Sequence, residues 1–184
     1  MYAQVVLVLF SMIAGASCAP IHVTAQLLTD QYTTFFTKLQ MVKILEKVGN
    51  DFYIQKSNDK IAQDISNKLD GVTTKKQQVT YQTRYRNLCT KLGQKECRRI
   101  LLTIGQLHYN GFNKVATQAK QVSATALQGG ATKVEAINAA WQHTQQVMPT
   151  YIKNSAAYLK GKVTPVQWNL IKSSLGNIIL FNLY

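Results

Sequence analysis

The sequence predicts an all-α protein, a compact bundle of about six to eight amphipathic helices in a single domain. Three observations carry that prediction. Apolar residues recur at three- and four-residue steps through most of the chain, the spacing that lines one face of a helix. No segment alternates convincingly with the period of two that a half-buried strand requires. Thr132-Lys133-Val134-Glu135 and Thr164-Pro165-Val166-Gln167 are helix starts, in which a hydroxyl and a Glu or Gln three residues on satisfy the free amides of a first turn.

The elements follow in order. Residues 1–19 read as a secretory signal: Val5 to Phe10 and Met12 to Ala14 make a short apolar core, followed by small residues. The run is short for a membrane span of roughly 20 residues, and no Lys or Arg precedes it. Residues 20–184 then form the bundle. The first helix is capped by Thr29 or Asp30 and carries Tyr32, Phe35, Phe36, Leu39, Val42, Leu45 and Val48, with Gly49 as its stop. The second runs from about Ser57 to Gly71 on Ile61, Ile65 and Leu69, with Asp59, Lys60, Asp64 and Lys68 on its wet face. The third spans residues 73–92, its apolar arc made of Tyr81, Tyr85, Leu88, Cys89 and Leu92, and Gly93 ends it. The fourth, residues 96–107, has no charge between Arg99 and Lys114 and so belongs in the middle of the bundle. Asn110-Gly111 predicts a turn before a fifth helix over residues 112–127. The sixth starts at Thr132 and ends at Pro149, a short seventh covers residues 151–159, and the last starts at Thr164. The chain closes on an apolar patch, Ile178, Ile179, Phe181, Leu183 and Tyr184, which suits core packing or contact with a membrane or a second copy as a homodimer.

The formal charge of +13 is one-sided. Residues 20–70 hold six bases and six acids, whereas residues 71–184 hold fifteen bases and two acids, Glu96 and Glu135. Lys75, Lys76, Arg84, Arg86, Lys91, Lys95, Arg98 and Arg99 cluster within 25 positions, and Lys153, Lys160, Lys162 and Lys172 form a second, sparser group. Such a field selects an anionic partner: nucleic acid, lipid headgroups, or an acidic glycan or glycoprotein. Secretion argues against nucleic acid. Cys89 and Cys97 lie in the last turn of one helix and the first turn of the next. In an oxidising compartment a disulfide there closes a short loop and contributes roughly 2–3 kcal/mol; two buried free thiols are the alternative.

No catalytic constellation is legible. Glu96 and Glu135 both have roles at helix starts, and His22, His108 and His143 are scattered without paired metal spacing. Two thiols without nearby histidines do not complete a zinc site. The chain reads as a non-enzymatic binding protein with no cofactor and no metal. The alternatives are a secreted helical carrier of fatty acids, with Phe35, Phe36, Trp141, Trp168 and Phe181 lining a cavity, and a membrane-active defence protein.

The stretch Val72-Thr73-Thr74-Lys75-Lys76 through Tyr81, Arg84-Tyr85-Arg86 and Leu88 resembles the gastropod egg-lysin family of sperm acrosomal proteins. So do Gly129-Gly130-Ala131-Thr132 and Met148-Pro149-Thr150-Tyr151-Ile152, and the first long helix fits in position. The resemblance implies a secreted, acrosomal fertilization protein. By that resemblance it acts without turnover, binding an anionic egg-envelope glycoprotein through basic and apolar surfaces, or acting on the egg membrane in fusion. Cys89, Cys97 and the charge-balanced first third depart from the lysin pattern and point toward a diverged paralogue.

Overall fold

The computed structural model describes residues 37–179, and among them six helices and no strand. They are α1 (Lys38–Tyr53), α2 (Asn58–Val72), α3 (Lys75–Leu92), α4 (Gln94–Gln128), α5 (Lys133–Lys160) and α6 (Pro165–Ile179). The all-α prediction holds, and the helices that the sequence divided are joined. α4 runs unbroken through Asn110-Gly111 for 35 residues, and α5 runs through Pro149 for 28. A glycine inside a helix costs about 1 kcal/mol and a proline removes one backbone hydrogen bond, so both are local penalties. Packing outweighs them. Phe112 and Val115 beyond the Asn-Gly pair are buried, and so are Met148 and Ile152 on either side of Pro149. The α4–α5 pair is the most extensive helix contact in the molecule. As its uncharged middle predicts, α4 is central, touching α1, α2, α3 and α5.

α1 also differs from expectation. Its cap is Thr37, which accepts from the Gln40 amide at 3.3 Å while Gln40 Oε1 accepts from the Thr37 amide at 2.8 Å. The expected caps Thr29 and Asp30, with Tyr32, Phe35 and Phe36, lie outside the described residues, as do residues 1–19 and His22. Gly49 does not stop the helix; it admits a neighbour. A Cβ there would stand 2.8 Å from Trp141 Nε1 and 2.9 Å from Ile137 Cγ2, so α5 approaches α1 through the space that the glycine leaves. Trp141 packs its ring against Phe52, centroids 5.6 Å apart, and joins Ile44, Val48, Ile61 and Ile65 in the core.

Two polar clasps fix the first helices. Gln40 and Gln77, each the third residue of its own capping box, exchange hydrogen bonds of 2.9 and 3.0 Å, and Gln40 Nε2 also donates to the Val72 carbonyl. Beside the α1–α2 loop, Lys47 and Lys56 both bridge Asp51 and Asp64 at 2.5–3.1 Å. Asp64, expected on a wet face, is therefore an internal tie, and Lys56 holds its carboxyl below the usual range. Asp51 is fully buried, and a buried carboxylate requires this compensation. His108, expected at a helix end, lies in mid-α4 and is fully buried, which pushes its pKa down to about 3.

Gly49→Ala should destabilise the fold by about 1–3 kcal/mol, the cost of overpacking a tight contact. Urea unfolding checks it; an unchanged midpoint would contradict the close approach. His108 makes a second prediction. Its folded pKa lies below the unfolded value near 6.5, so the unfolded chain binds the proton first. Stability is full above about pH 6.5 and falls as the pH drops toward 3, by about 2 kcal/mol between pH 7 and pH 5. The lowered carboxyls of Asp64, Glu96 and Glu135 contribute in the same direction only below about pH 4.5. Urea titrations at pH 7, 6 and 5 on wild type and His108→Leu should show the loss in the first and a flat response in the second.

Candidate functional site

The basic residues gather around the junction of α3 and α4. α3 buries little, Leu88 and Cys89, with Tyr81 half-buried against the core. One residue, Gly93, joins the two helices with φ 79°, a left-handed value that glycine adopts without strain. Cys89 and Cys97 are bonded across this elbow, Cα atoms 5.0 Å apart, closing a loop of sequence separation 8. By chain entropy such a loop stabilises the fold by roughly 2.5 kcal/mol, and it fixes the angle at which α3 leaves α4.

A second brace lies one turn into α4. Arg99 donates to both oxygens of Glu96, at 2.9 Å from Nε and 2.6 Å from Nη2, and Gln167 Nε2 of α6 donates to Glu96 Oε1 at 3.0 Å. Arg99 first, then Gln167, keeps the Glu96 carboxyl below its ordinary range, while Glu96 raises the Arg99 guanidinium. Arg99 Nη2 also reaches the Lys162 carbonyl at 3.4 Å. This contact brings the α5–α6 loop, and with it Lys162 of the sparser basic group, against the start of α4. Thr164 and Gln167 form the expected cap of α6.

The other bases are freer. Lys75, Lys76, Arg86, Lys91, Lys95 and Arg98 are exposed and Arg84 is half-buried; Lys153, Lys160 and Lys162 are exposed and Lys172 half-buried. Among the described residues, Arg99 alone of these twelve has an acid partner. Lys75 and Lys76 occupy the first turn of α3, which holds no acid. There they face the positive end of the helix dipole, an arrangement worth about 0.3–1 kcal/mol of repulsion per charge. The N-terminal charges, by contrast, are compensated within the fold by Asp51 and Asp64.

Apolar side chains stand among the bases. Tyr85, assigned to the core by its helical spacing, is 39% exposed, its ring 6.5 Å from that of Tyr81. α3 lies against only one side of the bundle, so its apolar arc is wider than the surface that covers it. Leu102, one turn along α4 from Arg98, is exposed, as are Val166 and Tyr158, over whose ring Lys162 Nζ lies at 5.5 Å. Ile178 and Ile179 end α6 with side chains outside the described set, and Phe181, Leu183 and Tyr184 lie wholly outside it. Trp141 and Trp168 are core residues. His143 Nε2 is 3.5 Å from Gln118 Oε1 on an otherwise uncharged α4–α5 groove of about 590 Å³. Among the described residues no group of three or more His, Cys, Asp or Glu could hold a metal, and no helix is long and apolar enough to cross a membrane.

The sequence did not single out Gln94, which lines a cleft at the elbow with Tyr85, Cys89, Lys95 and Arg98. Its one legible signal is its place directly after Gly93, where a new helix must begin. No protein-family model, curated protein or solved structure matches the chain.

Proposed function

We propose that this protein is a secreted, non-enzymatic binding protein that holds an anionic partner through the basic end of its bundle. The observation that carries the reading is the uncompensated charge around the α3–α4 elbow. Eleven of the twelve clustered bases have no acid partner among the described residues. Two of them, Lys75 and Lys76, sit where the helix dipole opposes them, so a bound anion would relieve repulsion that the fold leaves in place. The field acts over about a Debye length, roughly 10 Å, and draws a partner in; Tyr85, Leu102 and Val166 then supply short-range contact. The likeness to egg lysins places this chemistry in fertilization. On that reading the partner is an egg-envelope glycoprotein, released or loosened by stoichiometric binding after discharge from the acrosome. The braced elbow supports it, because a disulfide survives in an extracellular setting.

A folded variant carrying Arg84→Glu, Arg86→Glu, Lys95→Glu and Arg98→Glu should bind isolated egg envelopes at least about tenfold more weakly, a loss of about 1.4 kcal/mol or more. Its binding should also depend less on salt. Sedimentation with envelopes over a salt series, with helix content followed by circular dichroism, makes the measurement. Unchanged affinity in a folded variant contradicts the proposal, and so does envelope loosening that continues with turnover and releases cleaved fragments.

A further inference from the structure

The elbow holds a concavity as well as a charge. A cleft of about 550 Å³ opens there, lined by Tyr85, Cys89, Gln94, Lys95 and Arg98. Its volume lies within the range of roughly 300–1,000 Å³ typical of small-ligand sites, yet its lining is cationic and aromatic rather than aliphatic. Lys95 and Arg98 are exposed, and neither has an acid partner among the described residues. Arg99, the next residue, is turned away into its bond with Glu96. The two adjacent arginines are thus divided between a structural task and a free one.

We propose that this cleft binds one sulfated sugar unit of an acidic glycan. The guanidinium fork of Arg98 matches two oxygens of a sulfate ester, and the Lys95 ammonium adds a point charge to the same group. Tyr85 presents an exposed aromatic ring as a wall for the apolar face of a sugar. The Gln94 amide can donate to or accept from its hydroxyls. The Cys89–Cys97 bond holds the floor of the cleft in place, so little ordering is needed on binding. A recess between two helices fits a group that projects from a chain, as a sugar sulfate does, better than headgroups in the plane of a bilayer. The proposal rests on the anionic-partner reading and narrows it to a ligand class and a site.

The test uses the full chain and a heparin-derived hexasaccharide, sulfated or desulfated, with binding followed by calorimetry at fixed salt. Inorganic sulfate and vesicles of equal parts phosphatidylserine and phosphatidylcholine are the further probes. Lys95→Gln with Arg98→Gln should weaken hexasaccharide binding about tenfold or more, as the loss of a charge-assisted pair requires. Lys43→Gln with Lys114→Gln removes the same charge from exposed sites outside the cleft and should cost less than about threefold. Tyr85→Ala should weaken the hexasaccharide about fivefold while leaving inorganic sulfate unchanged, and Tyr85→Phe should restore it. Equal losses in the two double variants would overturn the site and leave the broader reading standing, as would a loss confined to the vesicles. Wild-type protein that binds no sulfated or lipid probe would overturn the anionic-partner reading itself.

Discussion

One covalent bond at the α3–α4 elbow decides where eight of the twelve clustered basic side chains stand. α3 buries only Leu88 and Cys89 completely, too little apolar surface to hold an 18-residue helix in place unaided. The Cys89–Cys97 bond anchors its last turn to the first turn of α4, and α4 is the helix that the rest of the bundle surrounds. The Glu96–Arg99–Gln167 contacts extend the same anchor to α6. The basic surface is therefore carried on a weakly packed helix tied to the most strongly packed one. This arrangement leaves α3 free to present polar side chains on most of its circumference without loss of position.

The charge asymmetry of the sequence becomes a division of labour. In the first two helices the lysines are consumed inside the fold: Lys47 and Lys56 neutralise a fully buried Asp51 and a mostly buried Asp64. Such a cluster adds little net stability, because desolvation offsets attraction, but removing one member would leave a buried charge unpaired. Around the elbow the balance is reversed. Repulsion among the bases has no internal remedy apart from the one Glu96–Arg99 pair. Stability is supplied in one half of the bundle and spent on a surface in the other.

Much of the fold was legible because helix starts are local chemistry. Ser57, Thr132 with Glu135, and Thr164 with Gln167 act as caps where the sequence places them. Thr37 with Gln40 carries the same signal, but the apolar run upstream drew the start of that helix to Thr29 or Asp30. Gly49, Asn110-Gly111 and Pro149 misled for a shared reason. Each is a local helix breaker, and each lies where a neighbouring helix supplies more than the local cost; at Gly49 the neighbour is Trp141 itself. The cysteine bridge was one of two readings that spacing allowed. For the site, the sequence gathered the bases but could not separate Arg98 from Arg99. That distinction depends on a glutamine 71 residues from Glu96 and on the α5–α6 loop. Tyr85 was assigned inward because helical spacing defines a face without defining how much of it is covered.

The central claim is that geometry at the elbow, beyond net charge, makes the binding surface. Cys89→Ser with Cys97→Ser tests it most directly, because it leaves the formal charge at +13. Binding of the double variant to isolated egg envelopes should be compared with wild type at one salt concentration and at a temperature where both remain helical. The account predicts weaker binding with helix content retained, as α3 loses its fixed angle to α4. Equal binding by the two proteins would contradict it and reduce the surface to a diffuse positive charge.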